Sequence, residues 1–176
     1  MSTEEKKPIK LDIGCGKRKA EGFLGVDSIA FEGVDIVMDA SKPGWQWADG
    51  EVDEVHSSHF IEHLTNNERV VFWNELCRVL KKGGQARVIT PHWLNACAYG
   101  DPTHQWPPMS EWAVYYLNKD WRDVNAPHAP LTCDFDFVIG GSWDPWLETR
   151  NQEMKMFAMG RYINSYRDLI ITLTKK

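Results

Sequence analysis

A chain of 176 residues, 43% of them hydrophobic, is the size of a single domain with one core. No apolar run approaches the roughly 18 residues that span a bilayer, and the opening MSTEEKKPIK has no apolar leader segment, so a cytoplasmic protein without membrane contact is expected. The net charge of −5 shows none of the basic excess that grips nucleic acid through its phosphates. Cys15, Cys77, Cys97 and Cys133 are scattered and form no C-x-x-C pair, which argues against a disulfide framework and against cysteine-bound zinc.

Residues 1–8 read as a disordered start and 9–176 as one domain. Ile9 to Ile13 reads as a short buried strand ending at Gly14. Phe23 to Val26 is a second strand, closed by Asp27, and Val34 to Met38 a third, closed by Asp39. Val52 to His56 is a weaker fourth. Thr65-Asn66-Asn67-Glu68 spells a capping box. The helix it opens runs to about Leu80, with Val70, Trp73, Cys77 and Leu80 along one side, and Gly83-Gly84 is expected to stop it. Ala86 to Thr90 is a fifth strand, cut off by Pro91. Beyond it, residues 92–130 hold five prolines, three histidines and four tryptophans. Irregular segments of that length are commonly lids or binding loops; one short helix is expected from Ser110 to Leu117. Phe135 to Ile139 and Leu169 to Leu173 read as strands, and Glu148 to Met159 as a helix. Strands alternating with helices predict an α/β fold around a largely parallel sheet.

The first strand runs into a glycine turn, LDIGCG, at residues 11–16. Two glycines let a backbone approach a ligand closely, and Asp27, ending the next strand, is placed to take a sugar's hydroxyls. A dinucleotide fingerprint needs a third glycine; here that position is Lys19. Asp12 sits two residues before Gly14, where a carboxylate repels a pyrophosphate and suits a cation. S-adenosylmethionine brings an ammonium, a sulfonium and a ribose but no phosphate, so the charge pattern favours it. Lys17-Arg18-Lys19 follows the turn. It reads as a solvated basic face, with phosphate contact as the other reading.

Residues 11–27 and the stretch from Val34 to Pro91 resemble the class I S-adenosylmethionine-dependent methyltransferases. They are most similar to the small, type 11-like branch, with its L-x-x-G-C-G turn and its E-H-L segment, here Glu62-His63-Leu64. The resemblance implies a doubly wound, mostly parallel seven-stranded sheet with one antiparallel member among the last strands. Residues 92–130 would be a Trp/Pro-rich lid or substrate insert after strand five. It implies S-adenosylmethionine as cofactor, with Asp12, Gly14, Cys15 and Gly16 around the methionyl end and Asp27 on the ribose. Asp39, through its carboxylate, and Ala40, through its backbone, would meet the adenine. Ser57, Ser58 and His59 would line the methionyl side from the end of the fourth strand. Only nine residues, 14–22, separate the first two strands, fewer than the dozen or so of a usual parallel crossover. Any first helix is thus held to one or two turns, leaving the cofactor less covered.

His59-Phe60-Ile61-Glu62-His63 spells H-x-x-E-H, a zinc-peptidase pattern. The two histidines would share a metal if the stretch were helical. It follows a strand end, however, and the helix starts only at Thr65; a third ligand such as His92 or His104 would also have to converge. No metal is therefore expected, and His63 is placed under the cofactor turn with Glu62 nearby. The segment after the fourth strand reads HSSHF, not the N/D-P-P-Y/F of enzymes that methylate exocyclic amines, and no Pro-Cys pair of the cytosine-carbon enzymes occurs.

Methyl transfer is an in-line displacement at an already activated cofactor, so the protein mainly aligns the acceptor and excludes water. An oxygen or nitrogen nucleophile also needs a base. Asp101-Pro102-Thr103-His104 supplies the candidate: His104 as base, Asp101 to orient it. An Asp-Pro turn carrying a surface histidine is the competing reading. Trp93, Trp106, Trp112, Tyr115, Tyr116 and Trp121 read either as walls of the substrate side or as a small core that holds the insert shut. The expected function is methyl transfer to an unidentified small-molecule or peptide acceptor. A catalytically silent adaptor with the same fold and a nicotinamide-dependent oxidoreductase are the rivals.

Overall fold

The computed structural model describes residues 7–176; of the expected disordered start, residues 1–6 lie outside the described residues. Seven strands, β1 (Lys10–Ile13), β2 (Leu24–Asp27), β3 (Ile36–Val37), β4 (Val52–Ser58), β5 (Leu80–Pro91), β6 (Phe135–Trp143) and β7 (Tyr166–Lys175), build one sheet. Their order is β3-β2-β1-β4-β5-β7-β6. Only β7 runs antiparallel to its neighbours, β5 and β6. The mostly parallel seven-stranded sheet expected from the sequence is present.

Among the described residues six α-helices accompany the sheet: α1 (Asn66–Val79), α2 (Cys97–Gly100), α3 (Glu111–Tyr115), α4 (Lys119–Asn125), α5 (Pro145–Glu148) and α6 (Gln152–Met159). The capping box forms as written. The Glu68 amide donates to Thr65 Oγ1 at 3.4 Å, and the Thr65 amide donates to Glu68 Oε2 at 3.0 Å. α1 ends at Val79, about where expected, because Leu80 is already extended and pairs with Val52. Pairing resumes at Glu54↔Gln85, so residues 81–84 bulge from β5 instead of capping the helix. Gly83, at φ +76, supplies the bend. The helix expected over 148–159 starts only at Gln152, where Asn151 caps it by accepting from the Met154 amide, and a separate short helix capped by Asp144, which accepts from the Trp146 amide, precedes it.

Leu11, Ile13, Val26, Val55, Val88, Ile171 and Leu173 project from one sheet face into a single buried cluster with Phe72, Trp73, Leu76 and Val79 of α1. Removing this apolar area from water is the main stabilising term. The opposite face differs. Strand register lines up Lys10 with Glu54, Asp12 with His56, His56 with Arg87, and Arg87 with Thr172. Along β4, Val55 and Ser57 are buried while His56 and Ser58 are half-exposed. Right-handed crossovers send the β1–β2 and β2–β3 connections across this face and the β4–β5 connection across the other. Segment 38–51 returns on the α1 face, where Trp45 and Trp47 join the core, and on the polar face the connections 14–23 and 28–35 contain no helix among the described residues. Loops replace the helical layer there, and polar pairs such as Lys10 Nζ–Glu54 Oε2, at 2.6 Å, suit the wet surface.

Candidate active site

β1 and β4 are the adjacent strands from which the chain departs in opposite directions, and open α/β sheets bind ligands outside the carboxyl ends of such a pair. There Asp12, Gly14, Cys15, Gly16, Ser58 and His59 line one cavity of about 570 Å³. Sequence reasoning missed His56 and Ala20, which line it too, as do Lys17 and Arg18, read chiefly as a solvated basic face. For His56 a signal was available: strand alternation puts it on the face of Ser58.

The two turn glycines do different work. Gly14 (φ +72) and Gly16 (φ +52) both take the left-handed conformation. A Cβ on Gly14 would overlap the Phe60 ring, whereas a Cβ on Gly16 would meet nothing within 4 Å. The first is needed for packing; the second leaves open space for a ligand. Phe60 thus takes the place expected for His63. A short 3-10 turn, Ile61–His63, turns the apolar ring inward and His63 out to solvent. There the His63 ring stands edge-on to His104, with centroids 4.9 Å apart.

Asp12 is buried, and its Oδ2 accepts from the Ala20 amide at 2.7 Å, pinning the helix-free first connection. Burial raises its pKa, opposed by that hydrogen bond and by His56 and Lys19. Asp27 stands at the rim, outside the cavity lining. Its Oδ2 accepts from Gly16 N at 2.9 Å and its Oδ1 from Ile29 N at 3.0 Å. Asp39 Oδ1 accepts from the Ser41 amide and hydroxyl at 3.0 and 2.6 Å, and the Ala40 carbonyl accepts from Trp45 Nε1 at 3.3 Å; neither residue lines the cavity. Ser57 is buried with its hydroxyl donated to the Ile13 carbonyl at 2.9 Å, tying β4 to β1. Lys19, from the basic triplet, pairs with Asp35 at 2.7 Å, while Lys17 and Arg18 reach the cavity.

His59 closes the cavity in an unusual conformation, φ +53, which costs a non-glycine residue of the order of 1 kcal/mol or more and concentrates at functional sites. The Glu62 carboxylate, 3.2 Å from its Nδ1, raises the His59 pKa against the opposing effect of burial, and Asp168, 3.9 Å from Nε2, adds to the rise.

Asp101 and His104 come together loosely, with Oδ2 and Nε2 3.8 Å apart. The His104 side chain is only 9% exposed, so it is not a surface histidine. Thr103 donates its hydroxyl to Asp101 Oδ1 at 2.7 Å and its amide at 2.8 Å, which lowers the Asp101 pKa. Arg69, buried in α1, fixes the path of residues 105–107 by donating to Gln105 O and Pro107 O at 3.1 and 2.6 Å, and it also donates to Ile61 O at 3.2 Å. His92 goes elsewhere: its Nδ1 accepts from Leu94 N and its Nε2 faces Glu111 Oε2 at 3.1 Å. Next to this segment, Trp93, Tyr99, Trp106, Trp112, Tyr115 and Trp121 line an open groove of about 830 Å³.

A family model described as a methyltransferase domain matches residues 23–88. The structure resembles that of a SAM-dependent methyltransferase from Archaeoglobus fulgidus, at TM-score 0.66 and 20% identity, covering 96% of this chain and 86% of that one. A putative S-adenosylmethionine-dependent methyltransferase from Listeria monocytogenes matches at TM-score 0.57 and 13% identity, with 96% and 91% covered. The fold is that of the class I methyltransferases. A third protein with this methyltransferase fold, from Haloferax volcanii, matches at TM-score 0.57 and 15% identity, with 97% and 84% covered; it was solved in complex with the Trm112 methyltransferase activator. No curated protein sequence matches the chain significantly. S-adenosylmethionine, the cofactor expected from the sequence, is the one for which matched methyltransferases are named. Among the described residues no helix is long and apolar enough to cross a membrane.

Proposed function

We propose that the chain binds S-adenosylmethionine in the cavity at the ends of β1 and β4 and transfers its methyl group to an oxygen or nitrogen of a small or peptide-like acceptor. The observation that carries the reading is the convergence of Asp12, Gly14, Cys15, Gly16, Ser58 and His59 on one cavity into which Gly16 presents no side chain. The buried Asp12 carboxylate, whose pKa burial raises, is the group whose charged form a ligand ammonium would favour. Asp27 has lone pairs left after its two backbone contacts, so ribose hydroxyls can still bind it. Asp39 and Ala40 at the end of β3 would flank the adenine, and Ser57 would act through the backbone position it gives Ser58. The aromatic groove beside residues 101–104 supports an acceptor side whose π-faces attract cationic or planar groups. His104 and Asp101, with Glu62 and His63 around them, would handle the acceptor's proton.

The test is calorimetry of the purified protein with S-adenosylmethionine and S-adenosylhomocysteine. Micromolar binding of both, with none of NAD or NADP, is expected. Failure to bind either adenosyl ligand sinks the reading. Cofactor binding with no transfer of radiolabelled methyl to any small-molecule or peptide pool would favour the silent adaptor.

A further inference from the structure

Two polar atoms in the described structure are buried without a hydrogen-bond partner, and they are neighbours: Glu62 Oε1 and His104 Nδ1. Such atoms are destabilising unless something unseen serves them. Glu62 is 5% exposed and the His104 side chain 9%. His59 Nδ1 lies 3.2 Å from Glu62 Oε1 but is not aligned to donate to it. Glu62, His63 and His104 each bring one ligand-type atom within 4.8 Å of the others.

The surrounding hydrogen bonds decide which ring nitrogens are free. Thr103 has one hydroxyl proton and gives it to Asp101 Oδ1 at 2.7 Å. Toward His63 Nδ1, 3.0 Å away, the same oxygen can only accept, so Nδ1 carries the proton and Nε2 keeps its lone pair. On His104 the Asp101 carboxylate sits on the Nε2 side at 3.8 Å, and Nδ1 is the buried atom with no partner. A hydroxyl bonded behind the His63 imidazole and a carboxylate near the His104 ring match the support that metal-bound histidines use.

We propose that Glu62, His63 and His104 bind a divalent first-row metal ion, zinc by the chemistry of the donor set, with a further position open toward solvent on the exposed His63 side. Two imidazoles and one carboxylate with an open position form a recognised set for such ions. Donors up to 4.8 Å apart must close to about 3.4 Å for bonds of about 2.0–2.2 Å, through movement of the exposed His63 ring together with the Glu62 or His104 side chain. The sequence pattern H-x-x-E-H thus yields a site by a different route from the one its spacing advertises: His59 faces the cofactor cavity, and His104 replaces it. Glu62 joins the two places, since His59 lines that cavity. An ion there would hold the oxygen or nitrogen of an acceptor and lower its pKa, taking over the task given to His104 as a base; that role rests on the methyltransferase reading, whereas binding of the ion does not.

The test uses tag-free full-length protein stripped of metal by chelation. Titration with Zn²⁺ by calorimetry should show one saturable site of micromolar affinity or tighter, and Co²⁺ should give visible d–d bands. His63→Ala, on an exposed side chain, should keep the metal-free melting temperature and lower Zn²⁺ affinity at least about tenfold. His104→Ala should do the same to affinity and abolish the cobalt spectrum. Wild-type protein that binds Zn²⁺ no more tightly than either variant overturns the proposal; the orphaned atoms would then be served by an ordered water. S-adenosylhomocysteine is titrated in parallel into the metal-free protein, so loss of the metal site and loss of the cofactor reading give separate results.

Discussion

The backbone amide of Gly16 donates to Asp27 Oδ2 at 2.9 Å. This one bond joins the glycine turn after β1 to the carboxylate that ends β2, so these two parts of the proposed cofactor site are mechanically one unit. Asp27→Ala removes both a ligand contact and the strut of the turn. S-adenosylhomocysteine affinity should fall tenfold or more, as for loss of a charge-assisted hydrogen bond worth about 1.5–3 kcal/mol. Asp27→Asn, which keeps an oxygen for Gly16, should lose less. Calorimetry showing both variants at wild-type affinity would remove Asp27 from the site.

The glycines should separate stability from binding. Gly14→Ala forces a side chain into the Phe60 ring at φ +72, combining overpacking of about 1–3 kcal/mol with a left-handed cost of about 1–2 kcal/mol. Its melting temperature should drop by roughly 4 °C or more. Gly16→Ala carries only the left-handed cost, because its Cβ points into open space. It should melt closer to wild type yet bind cofactor more weakly. Equal losses of stability in the two variants would contradict the assignment of roles.

Most of the sheet was legible because its signals are local. Gly14, Asp27 and Pro91 each punctuate a strand where it ends, and Thr65 and Glu68 cap α1 within four residues. What was not legible depends on distant partners. Leu80 leaves the helix because Val52 is there to pair with it, and no propensity records that. The Glu62, His63 and His104 cluster needed Arg69 to carry residues 105–107 across α1. Phe60 took the place foreseen for His63 because a 3-10 turn reverses which neighbour faces inward, a local reversal that no periodic pattern predicts.

pH should act on binding and on the unliganded fold in opposite senses through Asp12. Its folded pKa is raised above 3.8 chiefly by burial. The unliganded protein therefore gains stability from this group below the unfolded value and loses it as pH rises through the folded value. A cofactor ammonium needs the ionised form, so affinity should be full above the folded pKa and decline as pH falls through it, earlier than for an ordinary aspartate. Asp12→Asn should flatten that decline and bind cofactor about tenfold or more weakly at neutral pH, while its unliganded melting temperature at pH 7 stays level or rises. Affinity that is flat with pH in the wild-type protein would show that Asp12 does not face the ligand's charge.

The aromatic side chains divide into two populations with different expected costs. Trp45 and Phe72 are buried at 3% and 0% exposure and pack ring to ring at 5.8 Å. Replacing either with Ala should cost about 3–5 kcal/mol. Trp106 and Trp112 stand in the groove at 74% and 70% exposure, so they contribute little to a core that closes the insert. Trp106→Ala and Trp112→Ala should each change stability by no more than about 0.5 kcal/mol and leave S-adenosylhomocysteine affinity unchanged. If the groove is the acceptor side, these variants should retain cofactor and fail to turn over an acceptor that wild type accepts. A multi-degree loss of melting temperature in Trp112→Ala would instead make the groove a structural clamp and move the acceptor elsewhere along the sheet edge.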